Sequence, residues 1–174
     1  MSEIDKRLAE LGVVLPKPAA PVANYVPFVR TSGMAPGALP MLFISGQLPL
    51  GPDGKLEERH KGKLGPDSPV DAAREAAERC AINILAQARA ALGDLDKIVQ
   101  VVRLGGFFSV ASQFDALPQA MNGASDLMAK VFGERGRHAR MALGTAELPL
   151  GAAVELSAII RVTGRADGQR PHAA

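Results

Sequence analysis

The strongest pattern in the chain is an alternation of apolar and polar residues in its C-terminal part. Over Ala153–Val162 every second residue is apolar, with Glu155 and Ser157 on the opposite face, which predicts a half-buried β-strand. Met141–Ala146 is rich in small and apolar residues, and Leu148–Gly151 supplies Pro and Gly between the two segments. Because Pro and Gly favour turns, the pattern predicts a β-hairpin made of these two strands.

Three other segments show the three-to-four-residue apolar spacing of amphipathic helices. Ser2–Leu11 begins with a residue that can cap a helix, and Asp5 stands where a capping box needs an acid. Pro69–Leu92 carries many alanines on its apolar face, which allows close approach to a sheet, and Phe114–Phe132 is the third predicted helix.

Apolar and β-branched runs predict further strands at Tyr25–Thr31, Met41–Ser45 and Lys97–Val110. The element order after the first helix is then β-β-α-β-α-β-β, which indicates an α+β fold with two long helices on one face of a mixed sheet. The other face also carries apolar residues that no remaining segment covers. We therefore expect subunits to associate through that face.

The chain divides by composition into a central domain, residues 22–163, and two flanking segments. Residues 1–21 join the first helix to a proline-rich connector, and we expect them to be an addition to the core rather than part of it. The tail, residues 164–174, is polar and is expected to fray. Lys55–Asp67 and Ser32–Pro40 are predicted to be surface loops because of their polar, Gly and Pro content.

Composition narrows the class of protein. The chain has 174 residues, 47% hydrophobic and 22% charged, as expected of a water-soluble domain with its own core. A net charge of +2 without a basic block, and an aromatic content of 4%, argue against nucleic-acid binding. A single cysteine, Cys80, and the lack of a signal sequence or membrane span predict a cytoplasmic protein.

Two charged residues of the predicted hairpin are candidate functional residues. Arg140 opens its first strand, and Glu155 is a carboxylate within an apolar strand, which is costly unless solvated or paired. A hairpin could bring both to one strand end, although each could also be an ordinary surface residue. His138 is an acid–base candidate by residue type or simply a loop histidine, and the three histidines show no metal-ligand spacing.

Several fragments together resemble a known family. They are Phe43-Ile-Ser-Gly-Gln-Leu-Pro49, the segment Asp94–Val110, Asn122, and Ala139-Arg140 followed by Leu148-Pro149 and Val154-Glu155. In this order they resemble the YjgF/Rid family, also called the L-PSP endoribonuclease family, from about residue 25 to residue 162.

The resemblance implies a chorismate-mutase-like fold and a homotrimer with clefts between subunits. It implies hydrolysis of reactive 2-imino acids, or their enamine tautomers, to 2-oxo acids and ammonia, without metal or organic cofactor. By the same resemblance Arg140 binds the carboxylate of the substrate, since a guanidinium can grip it through two parallel hydrogen bonds. Glu155 would hold the attacking water.

Other site positions remain open at the level of sequence. Gly46 either shapes a turn or lets a ligand approach the backbone, and Asn122 lines the site or is an exposed helix residue. The cleft aromatic is Tyr25 or Phe28. Ala142 replaces a cysteine often found in the family two residues past the arginine, so the chain resembles a longer, less characterised branch.

Three functions follow from these features. The first is an imine deaminase, and the second is a non-catalytic module that binds a small carboxylate at the same cleft. Arg140 serves both, so Glu155 discriminates between them, because binding alone has little use for a buried acid beside an anion. The third, an endoribonuclease, comes from the other name of the family and is disfavoured by the low aromatic content and absent basic patch.

Overall fold

The computed structural model describes residues 1–21, 23–32 and 38–164, and these form a five-stranded mixed sheet with helices on one face. Residues 33–37 of the predicted loop and residues 165–174 of the predicted tail lie outside the described residues. The elements follow in chain order: α1 (Glu3–Glu10), β1 (Phe28–Arg30), β2 (Met41–Gln47), α2 (Val70–Leu92), β3 (Ile98–Ser109), α3 (Leu117–Phe132), β4 (Ala139–Thr145) and β5 (Val154–Val162).

The α+β fold class predicted from the sequence, a mixed sheet with two long helices on one face, is confirmed. The period-two apolar residues of β5 turn towards the helices and are buried, as are the alanines of α2 that face the sheet. The predicted cap of α1 is also present, since Ser2 and Asp5 form a reciprocal capping box. Across the described part of the chain, none of the helices combines the length and apolar character that spanning a bilayer requires.

The predicted hairpin between β4 and β5 is wrong. The strand order is β1-β2-β5-β3-β4, so β5 lies between β2 and β3, antiparallel to both, and β4 pairs with β3 in parallel. The alternation predicted each strand but carried no information about its neighbours. Helix α3 supplies the crossover that a parallel β3–β4 pair requires, and Pro149–Gly151 forms a short helical turn before β5.

The sheet face opposite the helices is apolar and exposed, as the sequence predicts. Its central and edge strands carry four large apolar side chains that are 36–51% exposed: Val29, Phe43, Phe107 and Leu143. Their register places Val29 beside Phe43, and Phe107 beside Leu143. Such a surface on one side of a sheet is typical of a protein–protein interface.

The N-terminal helix is part of the hydrophobic core. Ile4 is 1% exposed and packs in the same cluster as the sheet and long helices, together with Leu8. The Asp96 carboxylate accepts hydrogen bonds from the backbone N–H groups of Glu3 and Ile4, each at 2.9 Å. The expectation that this segment lies outside the core is therefore wrong for α1, because its amphipathic pattern already marks an apolar face that must be covered.

Shortening Ile4 should destabilise the protein. We expect Ile4→Val to lower the free energy of unfolding by about 1 kcal/mol, since it removes one buried methyl group and leaves a small cavity. Val14→Ala is the matched control, because Val14 is 80% exposed and its truncation should change stability little. Urea denaturation of both variants measures the difference, and equal midpoints would contradict the core position of α1.

Parts of the Lys55–Asp67 segment are buried, although its composition predicts a surface loop. His60 is 1% exposed and Leu64 is buried, and isolated bridges tie Lys61 to Ala152 and Leu64 to Val110. Neither ring nitrogen of His60 has a hydrogen-bond partner among the described residues. Burial lowers the pKa of His60, and this outweighs the opposing effect of Glu75.

Acid should therefore destabilise the folded protein through His60. The folded-state pKa lies below the ordinary value of 6.5, so the unfolded chain takes up this proton first as the pH falls. The contribution of His60 is fully present above about pH 6.5 and is lost as the pH falls through that value towards the folded-state pKa.

Urea midpoints from pH 8 to pH 5 for wild type and His60→Leu measure this dependence. We expect the variant to lose less stability over that range. Identical pH dependence in the two proteins would show that His60 is not held neutral by the fold.

Candidate functional site

Arg140 lies on the edge strand β4, and its guanidinium is held against helix α3. Nη1 donates to Asn122 Oδ1 at 2.8 Å and to Ser125 Oγ at 3.0 Å, and Nη2 donates to the Pro118 carbonyl at 3.2 Å. A guanidinium has five N–H donors, so two of those of Arg140 have no partner among the described residues. These are Nε–H and one Nη2–H, the adjacent pair that can grip a carboxylate. The arginine cluster (Arg140, Asn122, Ser125 and Pro118) thus holds a prealigned, exposed fork.

Ser125 connects this cluster to His138, a contact that sequence reasoning missed. Ser125 Oγ accepts from Arg140 and lies 3.1 Å from His138 Nε2, while His138 Nδ1 lies 2.6 Å from the Gly136 carbonyl. Nδ1–H donates to the carbonyl, and in the neutral imidazole the serine hydroxyl donates to Nε2. Burial lowers the pKa of His138, in agreement with that state. The spacing of positions 118, 122 and 125 could have indicated this cluster, because residues three and four apart share one face of a helix.

Glu155 lies at the start of β5 with its carboxyl group against Gly46 of β2. A Cβ atom at Gly46 would lie 1.8 Å from Glu155 Oε1 and 2.8 Å from its Cδ. The backbone of Gly46 is not in the left-handed region, so glycine is needed for close approach and not for a turn. The pair Gly46–Glu155 therefore fixes where the carboxylate sits.

The environment of Glu155 changes its acidity. The side chain is half-buried, and burial raises the pKa of its carboxyl group above the ordinary value. A carboxylate with a raised pKa accepts a proton from water more readily, as a general base near neutral pH must. The Cys80 thiol, fully buried behind β5, has a strongly raised pKa from burial and is not placed to act as a nucleophile.

An apolar cleft opens beside Gly46. It has a volume of about 180 Å³ and is lined by Tyr25, the end of β2, residues 19–21 of the connector, and Leu150. Phe28 instead packs against the hydrophobic core. Of the two aromatic candidates, Tyr25 is the one that lines this cleft together with Gly46, the residue that Glu155 lies against.

Arg140 and Glu155 do not meet within one chain. Arg140 is paired with Leu104, which is buried beneath the helices, whereas Glu155 is paired with Phe107, which is on the exposed face. Directly paired residues project to the same face of a sheet, so Arg140 and Glu155 project to opposite faces with β3 between their strands. The expectation that a hairpin unites them at one strand end is wrong.

The candidate site therefore consists of two parts in each chain, the arginine cluster and the glutamate cleft (Tyr25, Gly46 and Glu155 with the adjoining cavity). In the described residues, no three His, Cys, Asp or Glu side chains come close enough together to hold a metal ion. That the chemistry needs no metal and no organic cofactor stays a prediction.

Comparisons with known proteins confirm the predicted chorismate-mutase-like fold class. The model of the family described as "YjgF/chorismate_mutase-like, putative endoribonuclease" matches residues 5–160. Protein TCP17 of Trypanosoma cruzi is 44% identical over 156 residues, covering 89% of this chain and 91% of that protein.

Two solved structures are also similar. The protein Atu1372 from Agrobacterium tumefaciens, described as of unknown function, is 46% identical with a TM-score of 0.80, and 92% of each chain is covered. A "putative endoribonuclease" from Shewanella oneidensis is 33% identical with a TM-score of 0.83, over 92% of this chain and 100% of that one.

Proposed function

Because the chain belongs to the YjgF/chorismate-mutase-like family, we propose that it hydrolyses reactive 2-imino acids, or their enamine tautomers, to 2-oxo acids and ammonia. The observation that carries the proposal is the half-buried Glu155 carboxyl group, with its raised pKa, fixed against Gly46, a residue that also lines an apolar cleft. A module that only binds an anion gains nothing from a carboxylate there, because like charges repel.

The chemistry assigned to each residue follows from its donors and acceptors. The free fork of Arg140 binds the substrate carboxylate, and α3 holds that fork in place through Asn122 and Ser125. Glu155 accepts a proton from water as the water oxygen attacks the imine carbon. It passes that proton to the imine nitrogen, which gives a carbinolamine. Glu155 then takes the hydroxyl proton of the carbinolamine as the C=O bond forms, and delivers it to nitrogen as the C–N bond breaks and ammonia leaves. The imine carbon is intrinsically electrophilic, so positioning supplies most of the catalysis.

We further propose that two subunits complete each site, within a homotrimer. Two observations support this: Arg140 and Glu155 project to opposite faces of one chain, and the apolar face with Phe43, Phe107 and Leu143 is exposed. A neighbour that covers this face would bring its own Arg140 towards the glutamate cleft. In sedimentation we expect a species of three chains at micromolar concentration, and a stable monomer would contradict this proposal.

The activity is tested by 2-oxo acid release from imines generated freshly by an amino-acid oxidase. Wild type should exceed the spontaneous rate. Glu155→Gln should still bind a stable 2-oxo acid but should hydrolyse imines far more slowly, because the amide accepts no proton from water. If wild type binds the acid yet never exceeds the spontaneous rate, the protein is the alternative non-catalytic carboxylate-binding module.

A further inference from the structure

His138 immediately precedes β4 and contacts α3 through the same serine as Arg140. Its Nε2 lies 3.1 Å from Ser125 Oγ, and Ser125 Oγ accepts from Arg140 Nη1 at 3.0 Å. The imidazole, the hydroxyl and the guanidinium therefore form one continuous chain of hydrogen bonds. The proposed reaction assigns no role to the imidazole at the end of that chain.

A close approach of two backbones holds His138 beside Ser125. Gly136 is buried, and a Cβ there would lie 2.0 Å from the carbonyl oxygen of Met128, which follows Ser125 within one turn of α3. The Gly136 carbonyl lies 2.6 Å from His138 Nδ1. Because a carbonyl oxygen only accepts, the proton of the neutral ring is on Nδ1, and Nε2 is left as an acceptor.

The surroundings of His138 favour the neutral ring. Burial lowers the pKa of His138 and outweighs its hydrogen bond to Gly136, and the positive charge of Arg140 acts in the same direction as burial. Near neutral pH, Nε2 therefore presents a lone pair to the hydroxyl of Ser125.

That lone pair decides where the hydroxyl of Ser125 points. Ser125 lies in the interior of α3, where a serine commonly donates to the carbonyl three or four residues earlier. Among the described residues, the hydrogen bonds of its Oγ are instead those with His138 and Arg140. By accepting the hydroxyl hydrogen, His138 leaves the oxygen lone pairs to Arg140 Nη1, and each bond polarises the next.

We propose that His138 is a positioning residue, which holds Ser125 Oγ towards Arg140 and so fixes the direction in which the guanidinium presents its free Nε–H and Nη2–H. The inference rests on the proposed function for the identity of the bound carboxylate, whereas the order of the guanidinium can be measured without a ligand. Because the fork contacts the carboxylate in ground and transition states alike, His138 acts on substrate binding and not on the chemical step.

The first test measures the order of the Arg140 Nε–H bond in the full chain by NMR relaxation. His138→Phe keeps a ring but removes the acceptor, and Ser125→Ala removes the link itself. Both should make a rigid guanidinium flexible, with an order parameter below about 0.6. His138→Gln is the matched variant and should stay as rigid as wild type, because its amide oxygen can accept the hydroxyl hydrogen.

The second test measures binding of pyruvate to the same proteins by calorimetry. Loss of one hydrogen bond should weaken binding about threefold to tenfold in His138→Phe and in Ser125→Ala. The double variant should be no weaker than Ser125→Ala, because both substitutions break one chain. His138→Gln should bind as wild type does. In imine hydrolysis the weakened variants should raise KM and leave kcat unchanged.

The outcomes separate the two proposals. An Arg140 guanidinium that is equally ordered in His138→Phe and wild type would overturn the positioning role, whether or not imines are hydrolysed. So would a loss of order that His138→Gln shares with His138→Phe, since that result assigns the ring a packing role. If the order changes as expected but wild type neither binds pyruvate nor exceeds the spontaneous rate, the positioning role stands and the proposed function fails.

Discussion

Mixed trimers made from Arg140→Ala and Glu155→Gln chains should recover imine hydrolysis that neither variant has alone. Arg140→Ala removes a bidentate, charge-assisted contact and should cost on the order of 2–4 kcal/mol in kcat/KM. If Arg140 and Glu155 of one site come from different subunits, a trimer with both variants has one site with both native residues. Its rate should then be about one third of wild type.

Co-expression of the two chains with different affinity tags, followed by tandem purification, isolates the mixed species. Mixing Arg140→Lys with Glu155→Gln chains is the matched experiment and should recover the same fraction, whereas Arg140→Lys alone should be inactive because lysine lacks the planar fork. If the mixed trimer stays inactive while wild-type trimers carrying the same tags work, the two-subunit site is wrong.

Gly123→Ala should cause the largest loss of stability among conservative substitutions in the helices. Gly123 of α3 faces α2, and a Cβ there would lie 1.9 Å from the Arg74 carbonyl oxygen and 2.8 Å from its carbon. Because the obstacle is backbone, the two helices must separate. We expect a loss of about 3 kcal/mol or more, at the upper end of overpacking effects, which outweighs the better helix propensity of alanine.

The matched control is Gly65→Ala, since nothing lies within 4 Å of a Cβ at that position and its φ is ordinary. It should be neutral or slightly stabilising, because alanine restricts the unfolded chain. Chemical denaturation of both variants measures the difference. Equal stability of Gly123→Ala and wild type would mean that the helices do not approach as closely as described.

Local sequence patterns predicted the individual helices and strands far better than they predicted which strands pair with each other. The period-two alternation of Val154–Val162 and the helical spacing of Val70–Leu92 reflect burial of one face, which sequence records directly. Strand neighbours depend on crossovers and long-range packing. A turn sequence before β5 therefore predicted a hairpin, although α3 makes β4 a parallel neighbour of β3.

The candidate site was predictable residue by residue but not as an assembly. Family resemblance selected Arg140, Asn122, Gly46, Glu155, and Tyr25 or Phe28. The structure brings Arg140 to Asn122 and Glu155 to Gly46, and Tyr25 lines the cavity that Gly46 also lines. Their separation follows from sheet register, which no local pattern records. The burial of His60 was missed for a similar reason, since its polar neighbours in sequence concealed a packed position.

The position of β5 in the sheet has a consequence for how the chain folds as it is synthesised. Both neighbours of β5 precede it in sequence, so β2 and β3 emerge from the ribosome with unpaired edges that no earlier segment can satisfy. The pairing that joins them spans more than a hundred residues, as in Met41 with Arg161. Such non-local closure is slow and leaves open strand edges exposed to aggregation. We therefore expect nascent chains that end before β5 to depend on chaperones.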